Sequence, residues 1–326
     1  MKKLETVQLK VYHVVLVGLG LIALIGVFAW LYLQSMAAPM IAIPDGSTGF
    51  GHLATLYGDE NYTLGETRSV YAADNLIYIS DTSNRRVVVL DEQGRYVRSI
   101  GDTTQDNWPG LSFPYGIVVV EEKIYVADAG TQKVTVFDLE GNFLSFFGEK
   151  DLVKPVNIVF KNQHFYFTDV GRQQIVILDK QGDEVYAFGV YGKDGNPGEL
   201  NYPNGLAVGN DGRIYVADTN NSRIQVFTSE GEFLIAWQKE VGSSTSIFSA
   251  PMNISLDKNN NLYVADAVSN RIVVLNQLGE ISRTIAGVQG ENAGPFSLPT
   301  GVYVDVNQRL LVSDTGNRRL VIYNLE

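Results

Sequence analysis

A segment of fourteen residues recurs six times along this chain. A repeat of that kind restricts the fold more than any bulk property does, because every copy must become the same local structure and bury its apolar face against the next. The copies read IYISDTSNRRVVVL, IYVADAGTQKVTVF, FYFTDVGRQQIVIL, IYVADTNNSRIQVF, LYVADAVSNRIVVL and LLVSDTGNRRLVIY. Their aspartates, Asp81, Asp128, Asp169, Asp218, Asp266 and Asp314, stand 47, 41, 49, 48 and 48 residues apart. Five places after each aspartate comes a long polar side chain (Arg86, Lys133, Gln174, Arg223, Arg271, Arg319), followed by Val, Ile or Leu.

Around this anchor each unit holds four strand-like segments with period-two or short apolar runs, separated by turn residues. The fourth unit is the template: PNGLAVG, IYVAD, RIQVF and GEFLIAW. Five units open with proline and a small or amide residue two places on (Pro114 and Gly116, Pro155 and Asn157, Pro203 and Gly205, Pro251 and Asn253, Pro299 and Gly301), and a strand start is where the missing donor is tolerated. Four antiparallel strands repeated six times predict an all-β, six-bladed β-propeller over 50–326, with blades near 67–100, 114–148, 155–189, 203–238, 251–286 and 299–326. The sixth unit lacks an outer strand, and FGHLATLYG, residues 50–58, matches the outer-strand segments of other units. It is expected to complete the last blade and remove the open edge, with His52 in a structural role. The P-x-G-[IVL], [IL]-Y-V-A-D and N-x-R-[IV]-x-V-F pieces together resemble the NHL-repeat family over nearly all of 50–326, and the G-H and W-D signals of WD40 repeats are missing. That resemblance implies a non-enzymatic interaction module, by analogy of fold.

A ring of six aspartates suggests metal ligands, but a residue present in every blade is better read as a turn device. Asp accepts hydrogen bonds from its own backbone two residues on, and the side chain five places later is placed to pair with it. Sites are expected where the repeat is broken. The face that carries the turns after the second strands and the connections between blades collects Arg85, Arg172 and Arg318 together with Trp108, Tyr115, Tyr191 and Tyr202, a mixture of arginine and aromatics typical of partner surfaces. Phe113, Phe248 and Phe296, one to three residues before a proline, are expected to plug gaps between blades. At the channel mouth the departures are Asn157 and Asn253, which replace glycine, and Arg68, in a unit without the proline. Propellers related by this resemblance that hydrolyse lactones hold a divalent cation with channel Asn and acidic ligands, so a calcium-dependent hydrolase or lyase centred on Asn157 and Asn253 is the alternative function. No carboxylate is placed with those amides by the sequence, and no cofactor is expected.

The 326 residues contain no cysteine, which excludes disulfides, thiolate metal sites and thiol catalysis. Three histidines, His13, His52 and His164, form no catalytic spacing, and the histidine-zinc ligands of the amidating-lyase branch of the family are missing. Val11 to Leu33 carry no charge, long enough for a helix across a ~30 Å hydrocarbon core. The rival is a cleavable signal peptide ending near Ser35-Met36-Ala37, but its apolar region is usually only about 7–15 residues. We read 1–10 as cytoplasmic, 11–34 as an uncleaved signal anchor in membrane lipid and 35–49 as a short linker, with the propeller outside a bacterial-type membrane because Lys2, Lys3 and Lys10 precede the span. The rest carries 22 basic and 35 acidic residues, the wrong balance for a nucleic-acid surface. The expected partner is a protein, peptide or glycan.

Overall fold

A computed structural model describes residues 51–59, 61–101, 108–239, 244–288 and 294–325. The expected anchor and linker lie outside the described residues, and among those described no helix is long and apolar enough to cross a membrane.

Six four-stranded antiparallel sheets follow one another along the chain. Blade 1 consists of Thr67–Ala73, Leu76–Asp81, Arg86–Asp91 and Tyr96–Ile100; blade 2 of Pro114–Val120, Lys123–Asp128, Lys133–Asp138 and Phe143–Phe147; blade 3 of Pro155–Lys161, His164–Asp169, Gln174–Leu178 and Glu184–Phe188. Blade 4 holds Pro203–Val208, Ile214–Asp218, Arg223–Phe227 and Phe233–Trp237, and blade 5 Pro251–Leu256, Leu262–Asp266, Arg271–Leu275 and Ile281–Ile285. Blade 6 takes Pro299–Val304, Arg309–Asp314 and Arg319–Asn324 from the C-terminal end and Gly51–Leu56 from the other end of the described chain. The expected closure is therefore present, with Thr55 opposite Val321 and Leu56 opposite Leu320.

The apolar runs follow from this architecture. A sheet covered on both faces buries every residue of its middle strands, and side chains at alternate positions enter different cores. In blade 1, Val88 and Leu90 pack with Leu53, Leu320 and Ile322 of blade 6, whereas Val87 and Val89 pack with Ile117 and Val126 of blade 2. The first strands line the centre and contact one another around the ring, blade 6 meeting blade 1. Each of them slips register directly after its opening residue. Such a bulge re-aims the residue it inserts. The residues so placed are Arg68, Tyr115, Val156, Asn204, Met252 and Thr300.

Candidate functional site

The buried aspartates explain how the loops of one face are held. None of the six is exposed at all. Asp128 accepts the backbone N–H of Ser112 and Phe113, each at 2.7 Å, as well as those of Gly130 and Thr131 in its own turn. Asp169 does the same for Val153, Lys154, Gly171 and Arg172. In blades 1, 4 and 6 the carboxylate takes one loop N–H, from Gly65, Asn201 or Ser297, and spends its other oxygen on an Asn side chain and an Arg Nε. Asp266 binds Ser249 N, Ala250 N and Arg271 Nε. Each aspartate thus anchors the connection that enters its own blade. The expected pairing five residues on occurs with the four arginines, but Lys133 reaches Glu149 and Gln174 reaches the Gly189 carbonyl.

These anchored connections form the mouth of the ring. Phe113 is 39% exposed, and the Arg68 guanidinium lies 5.5 Å from the centre of its ring. Arg68 also donates to Glu66 Oε2 at 3.3 Å, a partly exposed pair. Tyr115 packs on Val156 and Val170 with only 4% of its surface exposed, and among the described residues its hydroxyl has no hydrogen-bond partner; nor does the buried Nε of Arg68. Burial pushes the Tyr115 phenol up to about 12, the nearby Arg68 charge opposing and Tyr202 adding to the rise. Tyr202 is 40% exposed and has a φ of 58°, as Leu298 has one of 50°, although a residue before proline is ordinarily extended. The amide side chains of the preceding blades enforce this: Gln173 Oε1 accepts the Tyr202 N–H, and Asn270 Oδ1 accepts that of Leu298 at 2.7 Å. Tyr191 stands out most, in the short parallel pair Val190–Tyr191 with Glu199–Leu200.

Arg85 and Arg318 are exposed at left-handed residues closing one-turn 3-10 helices, and neither has an ion pair among the described residues. Arg172, by contrast, is tied to Glu184, Gln174 and the Asp151 carbonyl. Trp108, expected on this face, is instead 3% exposed. Its ring stacks on Phe143 at 5.5 Å and meets Phe137 edge-on, sealing the gap between blades 1 and 2. Phe248 and Phe296 are buried as expected, and Phe113 is not the buried plug that its position suggests.

Below the mouth two amides, on the first strands of blades 3 and 5, are paired. Asn157 Nδ2 donates to Asn253 Oδ1 at 2.9 Å across the ring, while each amide oxygen also accepts the N–H of the next residue. Gly205 makes this approach possible, since a Cβ there would lie 2.6 Å from the Met252 carbonyl oxygen and 2.8 Å from Asn253 Cα. The two amides therefore bind each other. Among the described residues no group of three or more His, Cys, Asp or Glu could hold a metal ion. The opposite face carries a cleft of 320 Å³ lined by residues such as Lys161, Asn210, Lys258 and Tyr303, where Asp257 and Asp305 are engaged by their own turns. The longer first turns of blades 4 to 6 build it, a signal that repeat length alone hides. His164 lies on this side, bonded to the Asn162 carbonyl.

Comparison with curated proteins finds no match by sequence. Family comparison matches NHL repeats at 200–227 and 296–323 and a family described as a 6-bladed beta-propeller at 54–189. Among solved structures, a gluconolactonase from Xanthomonas campestris is similar at 19% identity with a TM-score of 0.62, covering 89% of this chain and 98% of that one. A catalytically inactive virginiamycin B lyase from Staphylococcus aureus with quinupristin gives 15% identity and a TM-score of 0.58, covering 82% and 83%. A chain of a nidogen/laminin complex gives 16% and 0.54, covering 72% and 91%. Enzymes and a chain of a nidogen/laminin complex thus share this architecture, and the likeness at these identities is one of fold. The chain is a six-bladed β-propeller that carries NHL repeats at 200–227 and 296–323.

Proposed function

We propose that this propeller is a binding module, tethered to the membrane by residues 11–34 and displayed on its outer side, that engages a protein partner through the mouth face. The observation that carries this reading is the combination of Phe113, Tyr191 and Tyr202, 39%, 65% and 40% exposed, with Arg85 and Arg318, which have no ion pair among the described residues, on that one face. Exposed rings of that size beside arginine supply most of the energy in protein interfaces. The backbone is fixed at two of these positions, at Tyr202 by Gln173 and at Arg85 by its 3-10 turn. A cation-dependent hydrolase at Asn157 and Asn253 has less support, because those amides are spent on each other and on the backbone.

Affinity capture from membranes with the full chain as bait tests the reading. Tyr191→Ser with Tyr202→Ser should remove the captured partner. Leu144→Ser with Leu234→Ser, exposed on outer strands, should leave it unchanged. Equal capture by both double variants would overturn the proposal.

A further inference from the structure

The chain enters the ring at the face opposite the mouth. Gly51 pairs with Asn324, the last residue of the Arg319–Asn324 strand of blade 6, while Leu56 and Leu320 lie toward the mouth end. The Leu325 N–H donates to the Gln308 carbonyl at 3.0 Å, which joins this entry edge to the first turn of blade 6. That turn carries Val306, 91% exposed, and the turn between the last two strands of blade 5 carries Leu278, 73% exposed. They are the two most exposed large apolar side chains among the described residues. Other blades are polar at these places, with Asn210 and Lys258 where blade 6 has Val306, and Gln93, Glu140, Gln181 and Glu230 where blade 5 has Leu278. The two turns meet at the turn of Lys258, which lines one cleft with Val306 and whose Asn259 carbonyl accepts Gln277 Nε2 at 2.8 Å. Charge divides the face in the same way. The outer turns of blades 1 to 4 each carry two carboxylates: Asp91 and Glu92, Asp138 and Glu140, Asp179 and Asp183, Glu230 and Glu232. The outer turn of blade 5 has only Glu280, which accepts Asn276 Nδ2, and the acids of the inner turns of blades 5 and 6, Asp257 and Asp305, are buried and bonded within their own turns.

We propose that this sector of the opposite face, centred on Val306, Leu278 and Lys258, rests on the lipid headgroups of the membrane that holds the anchor, so that the mouth is turned away from the bilayer. This rests on residues 11–34 being the anchor, as proposed above. Sixteen residues, 35–50, then join the span to Gly51, and they extend at most about 3.6 Å each. Bringing the mouth to the lipid instead would spend about 20 Å of that reach on the length of a six-residue strand alone. Val306 and Leu278 gain by leaving water at the headgroup boundary, and the Lys258 ammonium is drawn to lipid phosphates. The carboxylates of blades 1 to 4 are repelled by those phosphates, which selects the sector of blades 5 and 6 for the contact. Two apolar side chains standing singly on turns suit insertion between headgroups better than a protein interface, which takes about 800 Å² from each partner.

The chain has no cysteine, so a single cysteine introduced on a chosen turn carries one fluorescent probe. The test reconstitutes the full chain in vesicles of phosphatidylethanolamine and phosphatidylglycerol that contain a headgroup spin label. A probe at Val306→Cys or Leu278→Cys should be quenched several-fold more than one at Tyr191→Cys on the mouth face. With the probe at Leu278→Cys, Val306→Asp should remove most of the quenching and Lys258→Glu should weaken it. Quenching unchanged by Val306→Asp would show that the tether alone brings the face close, and would overturn the docking. Equal quenching on the two faces, or stronger quenching at position 191, would overturn the orientation. Flotation of the vesicles separates the inference from the reading beneath it. A chain that floats with them but is not quenched at position 306 keeps the anchor and loses the docking, whereas a chain that does not float loses both.

Discussion

At the scale of single residues, one repeat position has different energetic weight in different blades. Arg223 is 2% exposed; it donates to Asp218 and to the carbonyls of Gly195, Asn196 and Glu199. Lys133, five residues after its own aspartate, reaches out to the exposed Glu149 instead. Removing one partner of a buried pair strands the other, so Arg223→Met should destabilise the domain by about 3–5 kcal/mol. Lys133→Met should cost less than about 1 kcal/mol. Chemical denaturation of the two variants measures the contrast, and equal losses would contradict it. The motif made the Asp and Arg pairing readable, but it did not reveal that in blades 2 and 3 four backbone N–H groups, two of them fifteen or sixteen residues upstream, already fill the carboxylate. Such partners have no fixed spacing because the connections differ in length. Trp108 was misplaced for a related reason. Nothing in its spacing marks it as buried, and only the packing against Phe137 and Phe143 shows that the ring is a plug.

At the scale of elements, the closing strand is the most exposed to conditions. Gly51–Leu56 is the outer strand of blade 6, and its place was legible because blade 6 lacked a fourth apolar segment. His52 on that strand bonds Thr55 Oγ1 and packs edge-on against Tyr323. Burial holds the imidazole below its ordinary pKa, opposed by the Ala54 backbone and assisted by the Arg319 charge. The folded state therefore binds the proton less well than the unfolded chain does. Stability is intact above the unfolded value of about 6.5 and is lost as pH falls from there toward the lower folded value. The melting temperature of the wild-type chain should drop more steeply between about pH 7 and 5 than that of His52→Gln. Parallel profiles would show that the strand does not sense pH through this residue. The left-handed backbone at Tyr202 and Leu298 was not legible, since proline normally imposes an extended neighbour and the enforcing amides, Gln173 and Asn270, come from other blades.

For the molecule as a whole, the repeat specifies a ring whose two faces differ. One face has its loops tied down by buried aspartates and carries aromatics, arginines and a buried phenol without a partner. The other carries the lengthened turns and the polar cleft beside Lys161 and Lys258. The sequence distinguished the faces because strand order alone decides which loops share a side; it placed Tyr191 and Tyr202 on this one and marked Arg68 as a departure from the repeat. It did not separate Tyr115 from its neighbours, since that residue's role depends on a bulge and on packing against blade 3. The mouth face, and no other surface, is proposed to meet the partner. Site-specific photo-crosslinking in intact cells measures this directly, with the reactive residue placed at Tyr191 on the mouth face or at Val306, 91% exposed on the opposite face. The prediction is a discrete crosslinked protein from position 191 and none from position 306. Crosslinks from position 306 alone, or equally from both, would contradict it.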